Sequence, residues 1–166
     1  SLINKMFSNE ITILLQVHHP SIIKYIGYGL VDFEGSPNPI IVTEFYENGS
    51  LNDILQKKPI IDGWNETTKM IIVYGIASAM SYLHHLGILH RNLTLHKILV
   101  DKNFHPVVSN FDLAIFLKDI ENDKNIVGTM LYLAPEVFKE SKYSIKSDVY
   151  SFAMILYQIF VNTNLY

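Results

Sequence analysis

The chain of 166 residues contains no cysteine, which excludes disulfides and cysteine-ligated metals and suits a reducing compartment, with the cytoplasm as the default expectation. Cationic clusters are missing too. The formal net charge is −3 and the densest basic run is the pair Lys57 and Lys58, so the electrostatic footprint of a nucleic-acid binder is absent. Long apolar runs are likewise lacking: Met70 to Leu83 and Phe152 to Val161 are both shorter than the ~20 residues that a helix needs to cross a bilayer. The first ten residues, SLINKMFSNE, combine no basic stretch with an apolar run, so they carry no signal-peptide pattern. Charged residues make up 17% of the chain and hydrophobic ones 49%, far from the composition of a disordered segment.

Periodicity predicts an amphipathic helix over Asn4 to Val17, with Phe7, Ile11, Leu14 and Leu15 at helical spacing and a stop at His18, His19 and Pro20. Apolar runs at Ile22 to Ile26 and Ile40 to Phe45 read as an antiparallel strand pair, and Gly27-x-Gly29 as a strand-end turn. Ser50 is placed to cap a short helix ending before Pro59, and Asn65 a long one reaching about His85, with Gly87 just beyond. Met70, Val73, Ala77, Met80 and Leu83 are expected to form the buried stripe of that long helix. Ile88 to Leu89, Ile98 to Val100 and Pro106 to Val108 are short β-prone pieces, the last two joined by a turn at Asp101 to Asn103. The stretch from Leu117 to Asn125 reads as charged and irregular. Pro135 opens a short helix, and Asp148 to Val161 a helix apolar nearly all round, a type that normally lies in the middle of a domain. The elements that would cover it are not in the 166 residues.

Signatures in the second half occur in a telling order: HRNLTLHKIL at 90–99, NFD at 110–112, GTMLYLAPE at 128–136 and SDVYSFAMILYQI from Ser147. Together they resemble the catalytic loop, metal-binding triplet, APE triplet and central helix of eukaryotic protein kinases. NEITILLQVHHPSIIKYIGYG and VTEFYENGSLNDIL extend the resemblance across the first half, and the style is that of the tyrosine-kinase-like branch of Ser/Thr kinases. The implied fold is α+β. Residues 1–49 would form a truncated small lobe and hinge (helix C, strands 4 and 5), and 50–166 a mostly helical large lobe ending at helix F.

By the same resemblance Glu10 is the helix C glutamate, Thr43 the gatekeeper, Glu44 to Tyr46 the hinge, and Leu99 the floor under an adenine ring. Leu14, Tyr25, His90 and Phe111 would form the apolar column joining the lobes, anchored on Asp148. Glu136 is the carboxylate of the APE triplet. ATP and Mg²⁺ are implied by the family alone.

Residue types at the reacting positions argue against that chemistry. Phosphoryl transfer needs an aspartate to take the substrate's proton and metal ions to bridge the phosphates. The base position holds Asn92, which has no proton affinity near neutral pH and forfeits a contribution of about 10²–10⁴-fold. Thr94 stands where a phosphate-facing lysine is usual. Lys97 stands at a metal-ligand position, where an ammonium has no lone pair to give, and Asn110 replaces the other metal-binding aspartate with a neutral amide. Asp112 occupies the glycine position of the triplet and reads as a solvated turn residue. The Gly-rich loop and lysine that the family places before helix C are not in the chain.

The expectation is therefore a pseudokinase, with no cofactor, that works through a protein partner or a linked domain. The rival reading is an active Ser/Thr kinase completed by flanking sequence. Without a lysine partner Glu10 is expected to be solvated, and the scattered histidines 18, 19, 84, 85, 96 and 105 are read as surface or hydrogen-bond-satisfied residues and not as a metal site. From Leu113 to Val127 there is no Ser, Thr or Tyr, while Arg91, which in kinases commonly receives a phosphate from this segment, is retained. Asp119, Glu121 or Asp123 is expected to pair with it in place of a phosphate.

Overall fold

The computed structural model describes residues 2–57, 62–123 and 125–161, with side chains from residue 6 onward at the N-terminus. Pro59 and Lys124 lie outside the described residues.

Helix α1 spans Leu2–Leu14 and buries Ile13 and Leu14. It ends three residues earlier than its apolar pattern suggests, because Leu15 and Gln16 turn outward and Val17 packs from the following loop. Strands β1 (Tyr25–Gly29) and β2 (Ile40–Thr43) pair antiparallel, with an irregularity between Tyr25 and Gly27. This corrects the sequence-based boundary of the first strand. Ile22 and Ile23 instead join strand β5 (Pro106–Val108) further along the chain: Ile22 forms a parallel bridge to Val108, and Ile23 N donates to Val108 O at 2.9 Å. Gly27 and Gly29 consequently sit inside β1 rather than in a turn.

Helix α2 (Leu51–Gln56) begins with a reciprocal cap in which Asp53 N donates to Ser50 Oγ and Ser50 N donates to Asp53 Oδ2, satisfying two otherwise free donors. Helix α3 (Glu66–His85) starts where Asn65 Oδ1 accepts from Thr68 N at 3.1 Å and ends at Gly87, whose φ of 71° suits glycine. Its buried face is Thr68, Ile72, Gly75, Ile76, Ala79, Met80 and Leu83. The expected stripe was thus rotated: Met70 is 56% exposed and Val73 and Ala77 are half-buried. An all-round apolar helix gives no phase from periodicity, and Gly75 decides it. A Cβ there would stand 2.4 Å from Pro106 Cγ, so the glycine lets α3 press directly on strand β5.

Strand β3 (Ile88–Leu89) pairs antiparallel with β6 (Ile115–Phe116), and β4 (Ile98–Val100) with β5 (Pro106–Val108). Strand β6 was not foreseen, being two residues long. Asp101 Oδ1 shapes the β4–β5 turn by accepting from the N–H groups of Asn103 and His105. Residues 117–122 form a 3₁₀ turn. Helix α4 covers Pro135–Glu140 and α5 covers Ile145–Val161. On α5, Ser147, Asp148, Ser151, Ile155, Gln158 and Ile159 face inward, whereas Val149, Tyr157, Phe160 and Val161 remain exposed. One large core unites α1, α3, the β4–β5 hairpin and α5, and a smaller one gathers Leu89, Ala134, Val137 and Tyr143. No helix among the described residues is long and apolar enough to cross a membrane.

Candidate functional site

The loop after β3 is organised by one carboxylate. Asp148, only 1% exposed, accepts from His90 N (2.9 Å), Arg91 N (3.0 Å) and His84 Nε2 (2.9 Å). A buried carboxylate is tolerable when several donors replace its water. These bonds also hold Arg91 at a φ of 62°, a left-handed conformation that costs a non-glycine residue about 1–2 kcal/mol. His84 is thereby tied to the core of the loop as a satisfied histidine at the end of α3.

His90 is fully buried and stacks at 5.3 Å from Phe111. Its Nε2 donates to Ser109 O at 3.2 Å and its Nδ1 accepts from Asn92 N at 3.3 Å, an arrangement that requires the neutral imidazole. Burial lowers its pKa and outweighs the attraction of Asp148. Leu14, His90, Phe111 and Asp148 are all buried, and half-buried Tyr25 packs on the same core. Of the column expected from sequence, His90 touches both Phe111 and Asp148 directly.

Asn92 turns its amide oxygen to Thr129 Oγ1, which donates to it at 2.9 Å. Thr94 is buried, and its carbonyl accepts from Lys97 N. Ser109 then bonds the carbonyl of Lys97 through both its N–H (2.8 Å) and its Oγ (3.0 Å). The clamp fixes the backbone of Lys97 against Ser109, the neighbour of Asn110, which adopts a φ of 62° and whose Oδ1 is buried without a partner. By the family resemblance Lys97 and Asn110 are the metal-ligand positions, and an ammonium with a neutral amide is a donor set that does not fit Mg²⁺. Among the described residues no cluster of three His, Cys, Asp or Glu side chains is suited to a metal. Asp112 Oδ1 accepts from the N–H of its neighbour Leu113 at 2.9 Å.

Glu10 departs from its expected role. It is half-buried, and its Oε1 accepts from Phe111 N at 2.9 Å. Burial raises its pKa, the Phe111 hydrogen bond works against that, Asp112 adds to the rise and Lys97 offsets part of it. Asn9 Nδ2 donates to Ala114 O at 2.7 Å, so adjacent residues of α1 grip the 111–114 segment twice. Asn9 carries no local motif and was not singled out from sequence.

At the hinge positions Glu44 pairs with Lys24 (2.9 Å) in the open, and Tyr46 reaches Glu44 Oε2 at 3.4 Å. Thr43 is half-buried with its hydroxyl 3.4 Å from Glu44 O, and half-buried Leu99 bridges to Ser50. A cavity of about 420 Å³ is lined by Glu44 and Tyr46 together with Leu14, His18, Ile23 and Tyr25; Thr43 and Leu99 do not line it. The hinge residues and the expected adenine floor do not share this cavity.

Glu136 lies in the first turn of α4 and takes part in no ion pair among the described residues. Arg91 does. Its Nη1 donates to Asp123 Oδ2 at 2.8 Å and its Nε to Leu113 O at 2.6 Å, while Asp119 and Glu121 stay exposed. Tyr143, sixteen residues beyond Val127, bonds that residue's backbone through its hydroxyl.

Comparison with known families agrees with this arrangement of loop, triplet and helices. The model of the family described as protein tyrosine and serine/threonine kinase matches residues 2–165. The chain belongs to this family. Similar curated relatives include the human serine/threonine-protein kinase TNNI3K, 38% identical over 161 residues, which cover 93% of this chain and 18% of that protein. The cysteine-rich receptor-like protein kinase 25 of Arabidopsis thaliana is 39% identical, with 92% of this chain and 23% of the relative covered. Serine/threonine-protein kinase CTR1 of the same plant is 33% identical, with 92% and 18% covered. The kinase-family chain thus spans about a fifth of the length of these relatives, and its fold is the α+β fold of a kinase domain.

Proposed function

We propose that this kinase-family chain is catalytically silent and serves as a binding or regulatory module for a protein partner or a linked domain, in the manner of a pseudokinase in cytoplasmic signalling. The observation that carries this reading is the pair of residue types at the family's metal-ligand positions, Lys97 and Asn110. An ammonium offers the divalent ion on which phosphoryl transfer depends no lone pair and charge of the wrong sign, and a neutral amide does not balance the ion's charge. Asn92 adds a second block, because an amide oxygen does not take a proton near neutral pH. The packing residues Leu14, His90, Phe111 and Asp148 have meanwhile kept types that hold a core together.

Thermal unfolding with increasing ATP, with and without Mg²⁺, tests the reading. A ligand that binds the folded state at a hundred times its Kd stabilises it by about 2.7 kcal/mol. No Mg²⁺-dependent rise in Tm is expected, and a rise that grows with ATP only when Mg²⁺ is present would overturn the proposal.

A further inference from the structure

We propose that Arg91, Asp123 and Tyr143 form a latch that holds the segment from Leu113 to Gly128 in one arrangement by means of a carboxylate carried in the chain itself.

The segment touches Arg91 at its start, its middle and its end. Arg91 Nε donates to the carbonyl of Leu113 at 2.6 Å, and Nη1 donates to Asp123 Oδ2 at 2.8 Å. At the far end Gly128 lies so close that a Cβ there would stand 2.6 Å from the Arg91 carbonyl oxygen, at a φ of 109° that only glycine adopts readily. The guanidinium also lies 5.2 Å from the centre of the Tyr143 ring, within range of a cation–π attraction. The Tyr143 hydroxyl accepts from Val127 N at 2.6 Å and donates to Val127 O, so the residue under the cation also grips the segment.

Burial decides whether such a pair matters. Exposed ion pairs contribute only ~0–1 kcal/mol. Here the Arg91 side chain is 6% exposed and that of Asp123 23%. Removing one partner of a largely buried pair leaves a charge stranded. Asp123 is also aimed in advance: its Oδ1 accepts from Asn125 N (3.1 Å) and Asn125 Nδ2 (2.9 Å), leaving Oδ2 for Arg91. Less freedom is then lost on closing. Burial raises the Asp123 pKa, but the hydrogen bonds from Arg91 and Asn125 more than reverse this and leave it below its ordinary value. The carboxylate is therefore ionised at neutral pH, and no modification of residues 113–127, which lack hydroxyl side chains, is needed to close the latch.

Trypsin cleavage after exposed Lys118 reads the latch directly, with exposed Lys102 in the β4–β5 turn as internal control. When reclosing outpaces cleavage the rate follows the open population. Asp123→Ala should speed cleavage after Lys118 by about tenfold, the counterpart of ~1.4 kcal/mol, and leave Lys102 unchanged. Glu121→Ala should have no effect, and Asp123→Glu should recover part of the protection. Equal rates for Asp123→Ala and the wild-type chain would overturn the proposal. So would a rise that is the same at Lys102, since that marks general unfolding, or a Glu121→Ala effect as large as that of Asp123→Ala.

Discussion

Thr129 Oγ1 donates a 2.9 Å hydrogen bond to the side-chain oxygen of Asn92. The only acceptor on the side chain at the base position is thus already engaged by the chain's own hydroxyl, and the amide N–H₂ that remains is a donor. The same contact would persist with an aspartate in place of Asn92.

Restoring carboxylates alone should accordingly not restore chemistry. The double variant Asn92→Asp, Asn110→Asp is expected to transfer no labelled phosphate from ATP to itself or to a generic protein substrate, because Lys97 still replaces a metal ligand. Members of one catalytic unit act non-additively. Incorporation above that of a heat-denatured sample would contradict this.

Glu10 should respond in opposite directions to two substitutions. Burial raises its pKa, so between the unfolded value of ~4.3 and the higher folded value the folded chain holds more protons, and stability falls as pH rises through that window. Glu10→Gln keeps an acceptor for Phe111 N without the charge and is expected to match or exceed the wild-type Tm at pH 7. Glu10→Ala leaves that N–H unpaired and should cost about 1–3 kcal/mol. Chemical denaturation of both variants measures the contrast, and a Glu10→Gln variant as unstable as Glu10→Ala would refute it.

Acid should weaken the fold well before the carboxylates titrate. The folded state keeps His90 neutral, with a lowered pKa, whereas the unfolded chain takes up a proton near pH ~6.5. Stability present above that value is therefore lost as pH falls below it. His19, lowered by burial and accepting from Ser21 N, acts in the same direction. The lowered pKa of Asp123 removes a further contribution only below pH ~3.9. Tm measured from pH 7.5 to 5 should begin to decline near ~6.5, and His90→Gln should flatten that slope. An unchanged slope in the variant would show that His90 is not its source.

How much of this was legible beforehand depended on whether the signal was local. Caps at Ser50 and Asn65 were readable because each side chain bonds a backbone group three residues away. The pairing of the segment with Arg91 was approachable because the missing hydroxyls and the acidic residues lie in one stretch, although selecting Asp123 required the turn made by Asn125. The phase of α3 was not legible, since apolar residues surround that helix and only Pro106, distant in sequence, selects the face containing Gly75. The first strand was misplaced for a related reason: Ile22 and Ile23 are as β-prone as Tyr25 to Gly29 but find their partner in Val108. Asn9, Tyr143 and Thr129 act on backbone or side chains far along the chain, and no pattern of neighbours announces them.

Asp148 gives the chain one further property. Because its two oxygens hold the amides of residues 58 and 57 positions earlier, solvent reaches those amides only when the start of α5 moves away from the loop. The two stretches share a single opening event, so the exchange rate at His90 and Arg91 is a gauge of how firmly α5 is seated. Anything that loosens or tightens that helix from its exposed side is felt at the loop carrying Asn92 without touching it.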